Sequence, residues 1–272
     1  MPRGMADDLR AFDGWFASSQ WPSAPCPVCK VGDLHPAKGS IETVTTTDYD
    51  RHREDEDWLP DWEHGFFHGV LRCGRPACAE RVVVSGEFRY AEISPWGYHD
   101  QFHLRYAIPA LPLAVLPLHT PDTIVKEIDK ASRVVWADPA GAANALRRSV
   151  EALLDHQRVR KTKLVNGKRV RMSAHERINL FKTQQPKAAV SMEAVKWLGN
   201  AGSHDSAALT STDCVDSAEY LNHALKLLYD KSDAELNRRV KTVNKAKGVR
   251  RNGRNLKSYG NGVSDLRWWA LK

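Results

Sequence analysis

The sequence lacks the features of a membrane-spanning or secreted protein. No run of 18 or more apolar residues occurs, and the longest apolar stretch, residues 107–118, is interrupted by three prolines. It therefore predicts a connector rather than a membrane span. The N-terminal residues contain no apolar segment of the kind that signal peptides carry. We expect a cytoplasmic protein without membrane association.

Acidic residues are scarce in two segments. Residues 158–171 contain seven Lys or Arg and no acid, and residues 238–272 contain eleven Lys or Arg against one acid. Negatively charged residues are concentrated in residues 49–63. Such asymmetry favours a polyanion as partner of the basic segments, and the tail contributes Arg250, Arg251 and Arg254. The alternative is a solvated tail that only aids solubility.

Cysteine is also scarce, but four of the five cysteines form two close pairs, Cys26 with Cys29 and Cys73 with Cys78. In a reducing compartment, such pairs are more typical of a metal site than of disulfides. Four thiolates fit tetrahedral zinc and leave no position open for water. The sequence therefore predicts one structural zinc ion. The acidic segment is then an insertion between the two pairs.

A competing ligand set joins His64 and His68 to Cys26 and Cys29. Its internal gap is far longer than the usual finger spacing, and both histidines fall on a predicted strand. The fifth cysteine, Cys214, is predicted to be a small core residue.

The secondary-structure pattern predicts an α+β protein in three parts. Residues 1–118 are expected to form a β-rich zinc ribbon, residues 119–237 an all-α bundle of five helices, and residues 238–272 a basic tail. Segments rich in β-branched and aromatic residues predict strands at 41–49, 66–73, 81–93 and 102–108.

Local signals mark the helix starts. Five helix N-termini are predicted by capping residues and prolines: Thr120-Pro121, Asp138-Pro139, a Ser173/Glu176 capping box, Pro186, and Thr210 to Asp213. Asn166-Gly167 predicts a hairpin between the second and third helices. The fourth helix is expected to end in residues 199–205. If it continued, Lys196, Asn200 and His204 would share one face.

Three helical segments, LRRSVEALLDH (146–156), VKWLGNAGSHD (195–205) and DSAEYLNHALKLLYD (216–230), resemble the HEPN superfamily. The similarity covers about residues 121–231. The nearest branch is a bacterial domain of unknown function that often follows an N-terminal zinc ribbon and is also fused to restriction-enzyme subunits.

The resemblance implies a homodimeric helical bundle that binds nucleic acid, RNA in preference to DNA, in bacterial defence, restriction or toxin–antitoxin systems. Many HEPN domains are metal-independent ribonucleases, in which the histidine of an Arg-x(4–6)-His motif moves protons and the arginine stabilises the developing charge. Here His204 takes the histidine position and Asn200 the polar position before it. The cation ahead is Lys196, outside that spacing, so Arg147 or Arg148 would have to supply the arginine. Cleavage of RNA, and a purely protein-binding role, are the alternatives to binding without chemistry.

Overall fold

Alternation of buried and exposed side chains builds an N-terminal antiparallel sheet. The computed structural model describes residues 5–92, 97–204 and 209–246. The described strands are β1 (Phe16–Ala17), β2 (Ala24–Pro25), β3 (Asp33–Pro36), β4 (Glu42–Thr45), β5 (His64–Cys73), β6 (Arg81–Glu92) and β7 (Tyr98–Ile108). They pair in the order β1-β7-β6-β5-β3-β2, and β4 also pairs with β5. The sheet is curled, with one face in the core and the other exposed.

Helices dominate the rest of the described chain. They are α1 (Met5–Arg10), α2 (Thr47–His52), α3 (Asp122–Val134), α4 (Pro139–His156), α5 (Ala174–Lys182), α6 (Pro186–His204), α7 (Ser211–Tyr229) and α8 (Ser232–Ala246). A hairpin of β8 (Thr162–Val165) and β9 (Lys168–Arg171) separates α4 from α5. Among the described residues, no helix is long and apolar enough to cross a membrane.

Two units divide the chain, one at residues 1–230 and one at residues 231–272. The first has a continuous hydrophobic core that runs from the buried face of the sheet into α3–α7. The predicted connector adds buried side chains to this core, among them Leu111 and Leu113. Arg10 of α1 also reaches α7, where it pairs with Asp216 and Glu219. The boundary at residue 118 stays a prediction.

Most of the predicted helix starts are confirmed. Asp138 accepts a hydrogen bond from the Gly141 amide at the start of α4, and capping boxes open α5 and α7. The hairpin is confirmed too, since Asn166 and Gly167 take the positive φ angles of its turn. One start is shifted, because α3 begins at Asp122 with Pro121 as its N-cap.

One predicted end was wrong and another is confirmed. The strand at 41–49 stops at Thr45, because the Thr46 side chain accepts a hydrogen bond from the Tyr49 amide and so caps α2. The fourth helix, expected to end within residues 199–205, passes through Gly199 and ends at His204. Gly199 is buried at a close crossing of α6 with α4, so packing between the helices outweighs its low helix propensity.

Candidate metal centre and candidate nucleic-acid interface

Two β-hairpins bring the four paired cysteines together. The turn between β2 and β3 carries Cys26 and Cys29; Cys73 ends β5, and Cys78 lies in the turn between β5 and β6. The hairpins meet because β3 pairs with β5, with Leu34 opposite Cys73. Each turn is closed by its own backbone, since the Lys30 amide donates to the Cys26 carbonyl and the Cys78 amide to the Arg75 carbonyl.

The sulfur positions fit a tetrahedral metal ion. The Sγ atoms of Cys26 and Cys78 lie 3.7 Å apart, those of Cys29 and Cys73 lie 3.8 Å apart, and all four lie within 4.8 Å of one another. Two sulfur ligands of a tetrahedral zinc ion, each at about 2.3 Å, lie roughly 3.8 Å apart. The separations are far longer than a disulfide bond of about 2.05 Å. The prediction that these four cysteines form one cluster is confirmed.

The surroundings favour thiolate at one ligand and oppose it at another. Hydrogen bonds from the backbone amides of Gly32 and Val31 lower the pKa of Cys29 to about 6. Burial raises the pKa of Cys73 to about 12, and it also raises the pKa of Cys26. Metal ligation requires thiolates, and a divalent cation among the sulfur atoms would offset this cost of burial.

Gly32 leaves the space that Cys73 occupies. A Cβ atom at Gly32 would lie 2.5 Å from the Cys73 Sγ and 3.0 Å from the Arg75 Cβ. A Cβ at Gly74, in the other turn, would meet only ordinary contacts of 3.5 Å or more. The first glycine is therefore required by the cluster and the second is not.

The competing ligand set with two histidines is wrong. His64 lies near Thr46 and the Trp62 carbonyl, and His68 lies 3.8 Å from a carboxylate oxygen of Glu42. Both histidines are on β5, whose other end carries Cys73, roughly 30 Å along the strand for His64. The acidic segment precedes His64. It is thus inserted between the cysteine pairs in sequence but lies at the far end of β5 from them.

A second cluster of interest lies where α4 crosses α6. The crossing is close at Gly199, where a Cβ atom would lie 2.7 Å from the Cβ of Arg147 and 3.2 Å from the Ala143 carbonyl oxygen. Arg147 therefore lies against the α6 face that carries Lys196, one turn before Asn200. Arg148 points elsewhere and donates to Glu127 of α3 at 2.8 Å.

Lys196 is the most unusual cation of this crossing. Its side chain is only 6% exposed, and its Nζ lies 3.0 Å from the ring centroid of Trp197, which is 56% exposed. Burial lowers the pKa of Lys196; Glu193 opposes this shift and the charge of Arg147 adds to it. Among the described residues no carboxylate lies within ion-pair distance of Lys196. Lys196 thus has two charged neighbours of opposite effect, Glu193 and Arg147, and Arg147 in turn lies 3.8 Å from Glu151.

A polar cavity of about 590 Å³ adjoins this crossing and extends to the basic hairpin. Its walls include Arg147, Glu151, Lys161, Arg171 and Arg177. The hairpin itself is almost entirely exposed and is anchored by ion pairs of Lys163 with Glu176 and of Lys161 with Asp155. Two cations of residues 158–171, Lys161 and Arg171, thus share this cavity with Arg147, and the carboxylates of Glu151 and Asp155 also line it.

The remaining predicted residues divide into three groups. Asn200 is half-buried on α6, in line with Lys196. The backbone of His204 ends α6, while its side chain lies outside the described residues, as do Arg250, Arg251 and Arg254. Cys214 lies in the core and its Sγ donates to the Pro139 carbonyl, so its predicted role is confirmed.

Sequence reasoning missed the pairing of Lys196 with Trp197. Adjacent residues of a helix point about 100° apart, so neighbours in sequence are not expected to touch. The signal that could have found it is the position of Lys196 within an otherwise apolar stripe, Met192, Val195 and Gly199, which requires a buried ammonium.

Comparison with protein families gives two matches. A domain of unknown function, DUF8608, matches residues 14–107, and a second one, DUF4145, matches residues 129–246. No curated protein and no solved structure matches the chain. The first match covers the sheet together with all four paired cysteines. The second begins within α3 and extends to the end of α8.

Proposed function

We propose that this protein binds nucleic acid, RNA in preference to DNA, at the crossing of α4 and α6. The observation that carries the proposal is the buried side chain of Lys196 on the α6 face against which the stem of Arg147 packs. Glu193 offsets the effect of the Arg147 charge on Lys196, and a phosphate group could accept charge-assisted hydrogen bonds from both cations. The basic hairpin at the neighbouring cavity adds cations along which a backbone of phosphates could lie.

Trp197 supports single-stranded nucleic acid as the ligand. More than half of its ring is exposed, and Lys196 occupies one region over the ring face. Exposed aromatic rings next to cations stack unpaired bases in many proteins that bind single strands. A duplex offers no unpaired base to such a ring, so a single strand is the favoured ligand, and the HEPN-like motif segments favour RNA over DNA.

The finer identity of each part belongs to the same proposal. We take the helical part, α3–α7, as a HEPN-like bundle that forms a homodimer, in a cytoplasmic protein of a bacterial defence, restriction or toxin–antitoxin system. The motif segments quoted above support this reading. We take the cysteine cluster as a structural zinc site of ribbon type, because its sulfur separations match those expected for zinc.

Binding can be tested with two neighbouring arginines. Fluorescence anisotropy would measure the affinity for single- and double-stranded RNA and DNA between 50 and ~200 mM salt. We expect the Arg147→Gln variant to bind single-stranded RNA roughly tenfold more weakly, because a hydrogen bond to a charged group is lost. Arg148→Gln is the matched control, since Arg148 pairs with Glu127 instead. Equal losses in both variants, or an affinity that does not depend on salt, would contradict the proposal.

Lys196 gives a second test that separates binding from folding. The Lys196→Met variant keeps a long side chain in the same space and removes a buried charge, so the melting temperature should stay the same or rise. Affinity for RNA should nevertheless fall. A variant that is stable and binds RNA as the wild type does would rule out Lys196 as a ligand for phosphate.

A ribonuclease is the second candidate function, and the position of Arg147 favours it. HEPN-type cleavage needs an arginine near the catalytic histidine, and Arg147 lies against Gly199, five residues before His204 on α6. Incubation of single-stranded RNA with a chelator present would test the reaction. We expect cleavage by the wild type and its loss in both His204→Ala and Arg147→Gln. Binding without cleavage would leave the first proposal and remove this one.

A further inference from the structure

The acidic segment contains a cavity with aromatic walls that neither the metal centre nor the α4–α6 crossing uses. It has a volume of about 550 Å³, and Tyr49, Trp58 and Trp62 contribute to its walls. The rings of Tyr49 and Trp58 lie 6.4 Å apart and are inclined by 58°. Trp62 is 44% exposed, so part of this aromatic surface is open to solvent.

Carboxylates share this cavity with the rings. Asp48 and Asp55 line it, and both lie close to His52, at 3.9 Å and 2.9 Å. The surrounding residues 46–63 contain eight acids against two arginines, so the local field is negative. Burial raises the pKa of Tyr49, and the charges of Glu63 and Asp50 add to this rise while Arg53 opposes it.

We infer that this cavity, the aromatic-acidic pocket, binds the ammonium group of a lysine side chain in a peptide. Aromatic faces attract an ammonium through the ring quadrupole, and carboxylates at the same site supply the opposite charge. An apolar ligand would gain from the rings but not from Asp48 and Asp55. An anionic ligand would be repelled. A lysine side chain satisfies both features, because its apolar stem can lie along the rings.

The pocket also has a local structural basis. Thr46 caps α2, which places Asp48, Tyr49 and His52 on one short helix. The Tyr90 amide donates to the Glu63 carbonyl, so β6 holds the end of the segment that contains Trp62. The walls are therefore attached to the sheet at both ends rather than carried by a free loop.

The test uses the full chain labelled with 5-fluorotryptophan and followed by ¹⁹F NMR. The probe is a peptide of glycine and serine residues with one central lysine, and the matched probe replaces that lysine by norleucine. We expect the lysine peptide to shift the resonances of Trp58 and Trp62, assigned through Trp→Phe variants, and the norleucine peptide to shift neither. Equal shifts by both peptides, or shifts of neither resonance by the lysine peptide, would overturn the inference.

Two carboxylate variants distinguish the pocket from a diffuse negative field. Asp48→Asn should weaken binding of the lysine peptide roughly 5- to 30-fold, as should Trp62→Ala. Asp57→Asn changes the charge of the same segment by the same amount, but Asp57 does not line the cavity. If Asp57→Asn weakened binding as much as Asp48→Asn, the inference would be wrong. Unchanged resonances of the other tryptophans would show that each variant is folded.

Discussion

Gly32 offers the sharpest test of the metal centre. Replacing it by alanine would place a methyl group 2.5 Å from the Cys73 Sγ, where ordinary contacts begin at 3.4 Å. The sulfur or the turn would have to move by about 0.9 Å. Metal–sulfur distances tolerate deviations of only about 0.2 Å. The substitution should therefore act on metal binding first, although no ligand is removed.

The expected magnitude follows from the cost of overpacking. Forcing one extra methyl group into a filled site typically costs about 1–3 kcal/mol. If that cost falls on the metal-bound state, the dissociation constant for zinc should rise about 5- to 150-fold. Gly32 has no positive φ angle, so backbone strain contributes nothing to this figure.

Competition with a chromophoric chelator would measure the zinc affinity. Substitution by cobalt would report on the coordination geometry through its visible absorption. Gly74→Ala is the matched control, because it adds the same methyl group in the other cysteine turn, where the nearest atoms are 3.5 Å away. We expect the control to bind zinc as the wild type does.

Two outcomes would refute this reasoning. If Gly32→Ala bound zinc with the affinity of Gly74→Ala, the close approach to Cys73 would not constrain the cluster. If the wild-type protein bound neither zinc nor cobalt with four thiolates, the four cysteines would not form a metal site, despite the separations of their sulfur atoms.

Further predictions concern the metal, pH and the helix crossing. Removing the metal with a chelator should lower the melting temperature by roughly 10 °C in calorimetry, because a ligand at a thousand times its dissociation constant contributes ~4 kcal/mol, and zinc should restore it where magnesium does not. Hydrogen bonds from Lys163 and Ser173 lower the pKa of Glu176 to about 2, so its contribution to stability is complete above its ordinary pKa of 4.5 and is lost as the pH falls towards 2. The melting temperature of Glu176→Gln should therefore fall less than that of the wild type between pH 5 and pH 3. Gly199→Ala should destabilise the protein by about 1–3 kcal/mol in urea unfolding, against the helix propensity of alanine, because its methyl group would meet Arg147.

Features that depend on neighbouring residues were predictable from the sequence. The caps at Asp138, Ser173 and Thr210 each involve a side chain and an amide three residues away, so the pattern of residues is sufficient. The cysteine pairs were predictable for the same reason, because each pair lies within one tight turn. That the two turns would meet followed only from the chemistry of a four-ligand site.

Features that depend on distant residues were not predictable. β1 and β2 have two residues each, which is too short for an alternation of apolar and polar residues that would predict a strand. The connector was expected to separate two parts, yet Leu111 and Leu113 join the core because the sheet and the helices bury apolar surface against each other. The role of Arg147 could not be separated from that of Arg148, since adjacent residues of α4 face different helices, and only the packing of α3 and α6 decides between them.

Gly199 affects both the local helical backbone and the packing of α6 against α4. As a residue in a sequence it predicts the end of a helix, because glycine disfavours helical backbone. As a residue in the fold it allows α4 to approach α6 so closely that the stem of Arg147 lies where a side chain would otherwise be. Helix α6 therefore continues through Gly199 and ends at His204, within the segment expected to end it. The same close approach places the stem of Arg147 against the α6 face that carries Lys196, so the glycine that disfavours the helix also brings the stem of Arg147 to this face.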